Sequence, residues 1–174
     1  LRNDLAPGNS PAIHDSLWNV VPMKNSKEGN PSAPLRYGLY KAIKTLEGTP
    51  PTSEDSVRAI VVLMQSRYSY YGSPFGPDAG GSVVTDPESC GPDSTNYIPF
   101  DDLGGQQNLA KYAASKGIQI FPIYYTGSGS QAQEDVPRLL ADESGGEYFF
   151  ASNHVMLEQA FEAIAKRLMT EAGV

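Results

Sequence analysis

Reactive side chains in this chain are few and widely spread. Asp86, Glu88, Asp93, Asp101 and Asp102 fall within the 17 residues of DPESCGPDSTNYIPFDD. Carboxylates in such a loop are the oxygen donors a hard cation such as Ca²⁺ takes. Their spacing matches no EF-hand loop, and acidic side chains in long loops are commonly just solvated. Calcium at 86–102 is therefore the alternative reading and solvation the simpler one. The two histidines, His14 and His154, lie far apart on separate predicted helices. A general base needs a placed partner, so each reads as a surface or capping residue. GSGSQ at 127–131 is glycine-rich and follows a predicted strand, but it lacks the lysine and spacing of a phosphate loop. Neither a His-Glu-x-x-His zinc helix nor a Gly-x-Ser-x-Gly elbow occurs. Cys90 is the single cysteine, which allows no internal disulfide and reads as a loop thiol. The expectation is a protein that is not an enzyme and holds no cofactor. An enzyme of doubly wound α/β type is a disfavoured alternative, for want of a nucleophile–base pair or a cofactor fingerprint.

Aromatic residues are the more unusual feature. Tyr68, Tyr70, Tyr71, Phe75, Tyr97 and Phe100 lie in a long irregular insert, residues 68–105. Loops of this length in compact domains are usually functional. Tyrosine suits protein interfaces because it joins a large apolar ring to a hydrogen-bonding tip. These six residues are the expected protein-binding surface. The competing reading is that the rings fold the insert back onto the domain.

The remaining sequence supplies the elements that would hold these residues. At 174 residues the chain is about one domain long. Its net charge of -7 disfavours nucleic acid, since phosphate binding needs clustered Lys and Arg. No apolar run approaches a membrane span. Residues 1–33 read as an irregular segment with one possible helix in PAIHDSLWNVV, where Ile13, Leu17, Val20 and Val21 share a face. SAPLRYGLYKAIKTL is a stronger helix with Leu35, Leu39, Ala42, Ile43 and Leu46 at helical spacing, stopped by Gly48 and Pro50-Pro51. RAIVVLM, 58–64, is apolar on both faces, as a strand within a parallel sheet is. Helix QQNLAKYAASK, strand IQIFPIYYT, helix EDVPRLLADESGG, strand EYFFA and helix SNHVMLEQAFEAIAKRLM follow. Pro122 sits awkwardly in the second strand because proline cannot donate to a ladder. Leu157, Phe161, Ile164 and Leu168 form the expected inward stripe of the last helix. Alternation of this kind implies right-handed βαβ crossovers: an α/β, Rossmann-like parallel sheet with helices on both faces.

The stretches APLRYGLYKAI, RAIVVLM, LAKYAASKGIQIFPIYYTGSG and LLADESGGEYFFASNHVMLEQAFEAIAKRL resemble von Willebrand factor A (VWA) domains of microbial surface proteins. The likeness covers roughly residues 12 to 169, with 34–174 as the C-terminal portion of the domain. RYSYYGSPFG is similar to the tyrosine-rich loop after the fourth strand of some archaeal cell-surface members. The resemblance implies a three-layer fold and a divalent cation at the carboxyl ends of the strands. Its ligands would be an Asp-x-Ser-x-Ser motif, a Thr before the third helix and an Asp after the fourth strand. This chain departs from the pattern at all three. No Asp-x-Ser-x-Ser occurs, Ala33 with neighbouring Ser32 stands at the Thr position, and Gln65 or Ser66 at the Asp position. Neutral donors bind Mg²⁺ poorly, so a degenerate site without metal is expected.

The family also has three strands and two helices before the helix at 34–46, where this chain has 33 residues. In that family the first strand lies beside the fourth. Strand 58–64 is accordingly expected to need a neighbour on its outer side, from a protein partner or second polypeptide segment. That neighbour is a separate upstream half, a strand donated by another subunit, or residues 1–33 themselves. The expected function is adhesion or assembly in a microbial surface or pilus-like protein, at the cell surface or outside it. A cation-dependent VWA adhesin with its metal motif upstream is the alternative.

Overall fold

A computed structural model of the chain describes residues 35–49, 56–65, 73–79, 103–126 and 134–173. The chain divides into two units, Leu1–Ser32 and Ala33–Val174, and every described residue lies in the second. In order, the elements are α1 (Leu35–Glu47), β1 (Arg58–Met64), a 3₁₀ turn (Gly76–Ala79), α2 (Leu109–Ser115), β2 (Ile118–Tyr125), α3 (Asp135–Ser144), β3 (Phe149–Ala151) and α4 (His154–Glu171). The strands form one parallel sheet in the order β1-β2-β3. This is the α/β parallel architecture that the alternation implied.

Helix ends follow local chemistry. Asn108 caps α2, its side-chain oxygen accepting from the Ala110 and Lys111 amides. Asn153 caps α4, its side-chain oxygen accepting from the Met156 amide. Gly145 closes α3 in the left-handed conformation, at φ 75°.

The two faces of β2 bury against different helices. Ile118, Ile120 and Tyr124 join Ile60 and Met64 in one core with residues of α1, α2 and α3. Phe121 and Ile123 join Ala160 and Ile164 of α4 in a second. Phe161 departs from the expected stripe: it is 46% exposed, and Ala160 takes the inward position. α4 rests mainly on β2 and β3. Arg167 of α4 reaches Gly145 O and Glu147, on the β3 side.

Pro122 is accommodated by strand parity. The Ile120 amide donates to Ser144 Oγ at 3.0 Å and the Thr126 amide to Ala151 O at 3.0 Å, so even-numbered residues of β2 turn their backbone away from β1. Pro122 shares that direction, and β3 begins only opposite Ile123. The missing N–H therefore falls before the β3 ladder starts and removes no bond to β1. Ser144 fills the same gap for Ile120, satisfying an amide that the short β3 does not reach. Gly146 packs its backbone against Ile120: a Cβ there would sit 1.8 Å from Ile120 O.

Glu47 ties the ends of α1 and α2. Its carboxylate accepts from Lys44 at 2.8 Å, Lys116 at 2.9 Å and the Tyr112 hydroxyl at 3.1 Å. Hydrogen bonds from Lys44 and then Lys116 hold its pKa down to about 2, below the ordinary carboxylate range.

Two outcomes follow. Gly146→Ala loses at least about 3 kcal/mol in urea denaturation, because the new methyl meets rigid backbone. Glu47→Gln lowers stability at neutral pH. A carboxylate depressed in the fold contributes above its unfolded pKa of 4.5 and loses that contribution as pH falls toward about 2. The gap between wild type and Glu47→Gln therefore closes across that window, read from melting temperature against pH.

Candidate functional site

Two features stand out around β1: its outer edge, and the meeting of two loop segments beyond the carboxyl end of the sheet.

Register 61↔121 sets the edge. Odd-numbered residues of β2 turn their backbone to β1, so by the alternation of a parallel ladder Ile60, Val62 and Met64 bond to β2. Ala59, Val61 and Leu63 then turn their N–H and C=O outward. Among the described residues no strand pairs on that side. The side chains beside this edge are apolar on both faces. Val61 is 41% and Leu63 53% exposed on the α4 face. On the other face, Leu35, Gly38, Leu39 and Ala42 of α1 line a groove of about 270 Å³ with residues 60–63. A Cβ at Gly38 would meet nothing within 4 Å.

The groove arises because the apolar stripe of α1 is wider than the arc the core accepts. The expected inward set was Leu35, Leu39, Ala42, Ile43 and Leu46. The buried set is Arg36, Leu39, Tyr40 and Ile43, which leaves Leu35 and Ala42 half-buried along the groove. The sequence pattern gave no sign that Arg36 would turn inward.

Beyond the sheet, residues 73–79 and 103–109 lie against each other. The Leu109 amide donates to Pro74 O at 2.8 Å, and Lys111 pairs with Asp78 at 3.0 Å. Phe75 and Leu103 are buried in the core beside α1 and α2. Arg36 meets both segments. Its Nη1 donates to Ser73 O at 2.9 Å and Gln107 O at 2.8 Å, and its Nη2 to Gln107 Oε1 at 2.8 Å. Burial pushes the guanidinium down to about 10, which leaves it charged at neutral pH.

Compared with protein-family models, with curated proteins and with solved structures, the chain matches none.

Of the six aromatic residues expected to bind protein, Tyr68, Tyr70, Tyr71, Tyr97 and Phe100 lie outside the described residues, and nothing brings them together or apart. Phe75 is placed, and it is 3% exposed. Its ring fills the core beneath the 3₁₀ turn, so the folding-back reading holds for this residue. Gln65, one of the two residues the resemblance offered as a neutral metal ligand, follows β1 and is exposed. Ser32, Ala33, Ser66, His14, Cys90, the acidic run 86–102 and GSGSQ all lie outside the described residues. His154 opens α4 on its exposed side. Among the described residues no group of three His, Cys, Asp or Glu is arranged to hold a metal. Burial, with the Glu134 carboxylate nearby, pushes the Tyr148 phenol up, so it is a neutral hydroxyl at physiological pH. None of the described helices is long and apolar enough to cross a membrane.

Phe75→Ala costs about 3 to 5 kcal/mol in chemical denaturation, the range for a buried aromatic. An aromatic used only for surface recognition would cost within about 0.5 kcal/mol.

Proposed function

We propose that this chain is a non-enzymatic protein-binding or assembly module that completes its sheet with a strand from another polypeptide segment. The observation that carries the reading is the outer edge of β1. It offers outward-turned backbone groups between two apolar surfaces, the α1 groove on one face and Val61 with Leu63 on the other. A strand laid there gains ladder hydrogen bonds and buries side chains on both of its own faces. The occupant is therefore a strand apolar on both faces. Left open, such an edge is a site for uncontrolled association, which proteins normally cover.

The reading carries with it the VWA-like arrangement of layers, in which β1 is an interior strand, and a place in a surface or pilus-like assembly. Tyr68, Tyr70, Tyr71, Tyr97 and Phe100 remain candidate partner contacts within it; Phe75 does not.

A peptide carrying residues 58–64 between lysine pairs has the required two-faced pattern and serves as the probe. In NMR titration it shifts the amides of Ala59, Val61 and Leu63 and of α1 residues 35–42. Val61→Pro removes an outward donor while sparing the ladder to β2, because proline is tolerated on edge strands. This variant keeps its melting temperature within a few degrees and binds the peptide about tenfold more weakly or not at all. Shifts confined to other surfaces, or equal binding by Val61→Pro, would remove the reading.

A further inference from the structure

We propose that Arg36 is a clasp, and that residues 73–79 and 103–109 form a separate cooperative unit which releases from α1 while the sheet stays folded. Three observations combine. First, the two segments are joined where the Leu109 amide donates to Pro74 O, and each is closed by its own turn, Gly76 amide to Ser73 O and Gln106 amide to Leu103 O. Lys111, further along α2, pairs with Asp78. Neither segment contains a strand, and their regular structure is one 3₁₀ turn and the first residue of α2. Second, Arg36 reaches both segments from α1 with one planar fork, through Ser73 O, Gln107 O and Gln107 Oε1.

Third, the clasp is made at a cost. Arg36 is 1% exposed, all three of its acceptors are neutral, and its Nε is buried with no hydrogen-bond partner. Buried guanidinium groups are ordinarily paired with carboxylates, because removing the charge from water is expensive. Here no described carboxylate offsets that cost. Opening returns the cation to water, and the carbonyls it leaves are hydrated at the same time. Opening also exposes Phe75 and Leu103, so its free energy is the burial of those two side chains reduced by the cost Arg36 bears, against the burial of the whole core for unfolding the sheet. A lysine in the same place keeps the charge and most of the stem but cannot span two segments with a fixed fork. The inference concerns residues 73–79 and 103–109 and stands whether or not β1 receives a partner strand.

Native-state hydrogen exchange on the whole chain tests it. In wild type, the amides of Gly76, Gln106 and Leu109 exchange as one group, with a lower free energy and a smaller denaturant slope than Phe121 and Ile123 of β2. In Arg36→Lys, protection of that group falls about tenfold or more, the loss of roughly one charge-assisted hydrogen bond. Phe121 and Ile123 stay within about twofold, as expected for a sub-global opening. Equal free energies and slopes for the two groups in wild type overturn the proposal, and that measurement needs no variant to fold. A uniform fall across both groups in Arg36→Lys also overturns it, since Arg36 would then be an ordinary part of the global core.

Discussion

Val61 lies opposite Phe121 and Leu63 opposite Ile123 in the ladder that joins β1 to β2. A shift of one residue would exchange the two faces of β1 and turn its outward backbone groups inward. With this register Ile60 and Met64 enter the core beneath α1, while Val61 and Leu63 face the α4 side. The groove, the open ladder and the exposed pair all derive from that one alignment. The tolerance of Pro122 has a separate origin: its missing donor lies on the far side of β2, before β3 begins.

The asymmetry of the sheet has a simple origin. α4 covers β2 and β3, and β3 is only three residues long. The β3 side is finished by other means: the Ser144 hydroxyl, the close approach of Gly146 and the reach of Arg167 to Gly145 O. The β1 side has no comparable devices among the described residues. Its strand contains no proline or bulge, and its only charge is Arg58 at the start. Edges meant to stay open usually carry such protection. That lack, among the described residues, is what the proposal of a partner strand rests on.

Beyond the carboxyl end of the sheet the balance differs again. The packing of Phe75 and Leu103 gives residues 73–79 and 103–109 an apolar anchor, and Arg36 adds a polar one that carries its own desolvation cost. The apolar anchor holds these segments closed, and the desolvation of the Arg36 fork, kept or lost as a whole, offsets part of that hold.

Much of the architecture was readable from residue order. Periodicity alone places α1, β1, α2, β2, α3, β3 and α4 within a few residues of their bounds, because each run carries apolar residues at the repeat its backbone demands. Asparagine caps and glycine stops are equally local. Three outcomes lay beyond any window of sequence. Phe161 matched the α4 stripe and is exposed; Phe75 was expected at a binding surface and is core; Arg36 lay outside the apolar stripe of α1 and is buried. In each case the deciding factor is a neighbour distant along the chain, such as Gln107, which lies 71 residues from Arg36. Local pattern dictates which backbone conformation a segment takes, while the burial of any one side chain depends on what the rest of the fold sets against it.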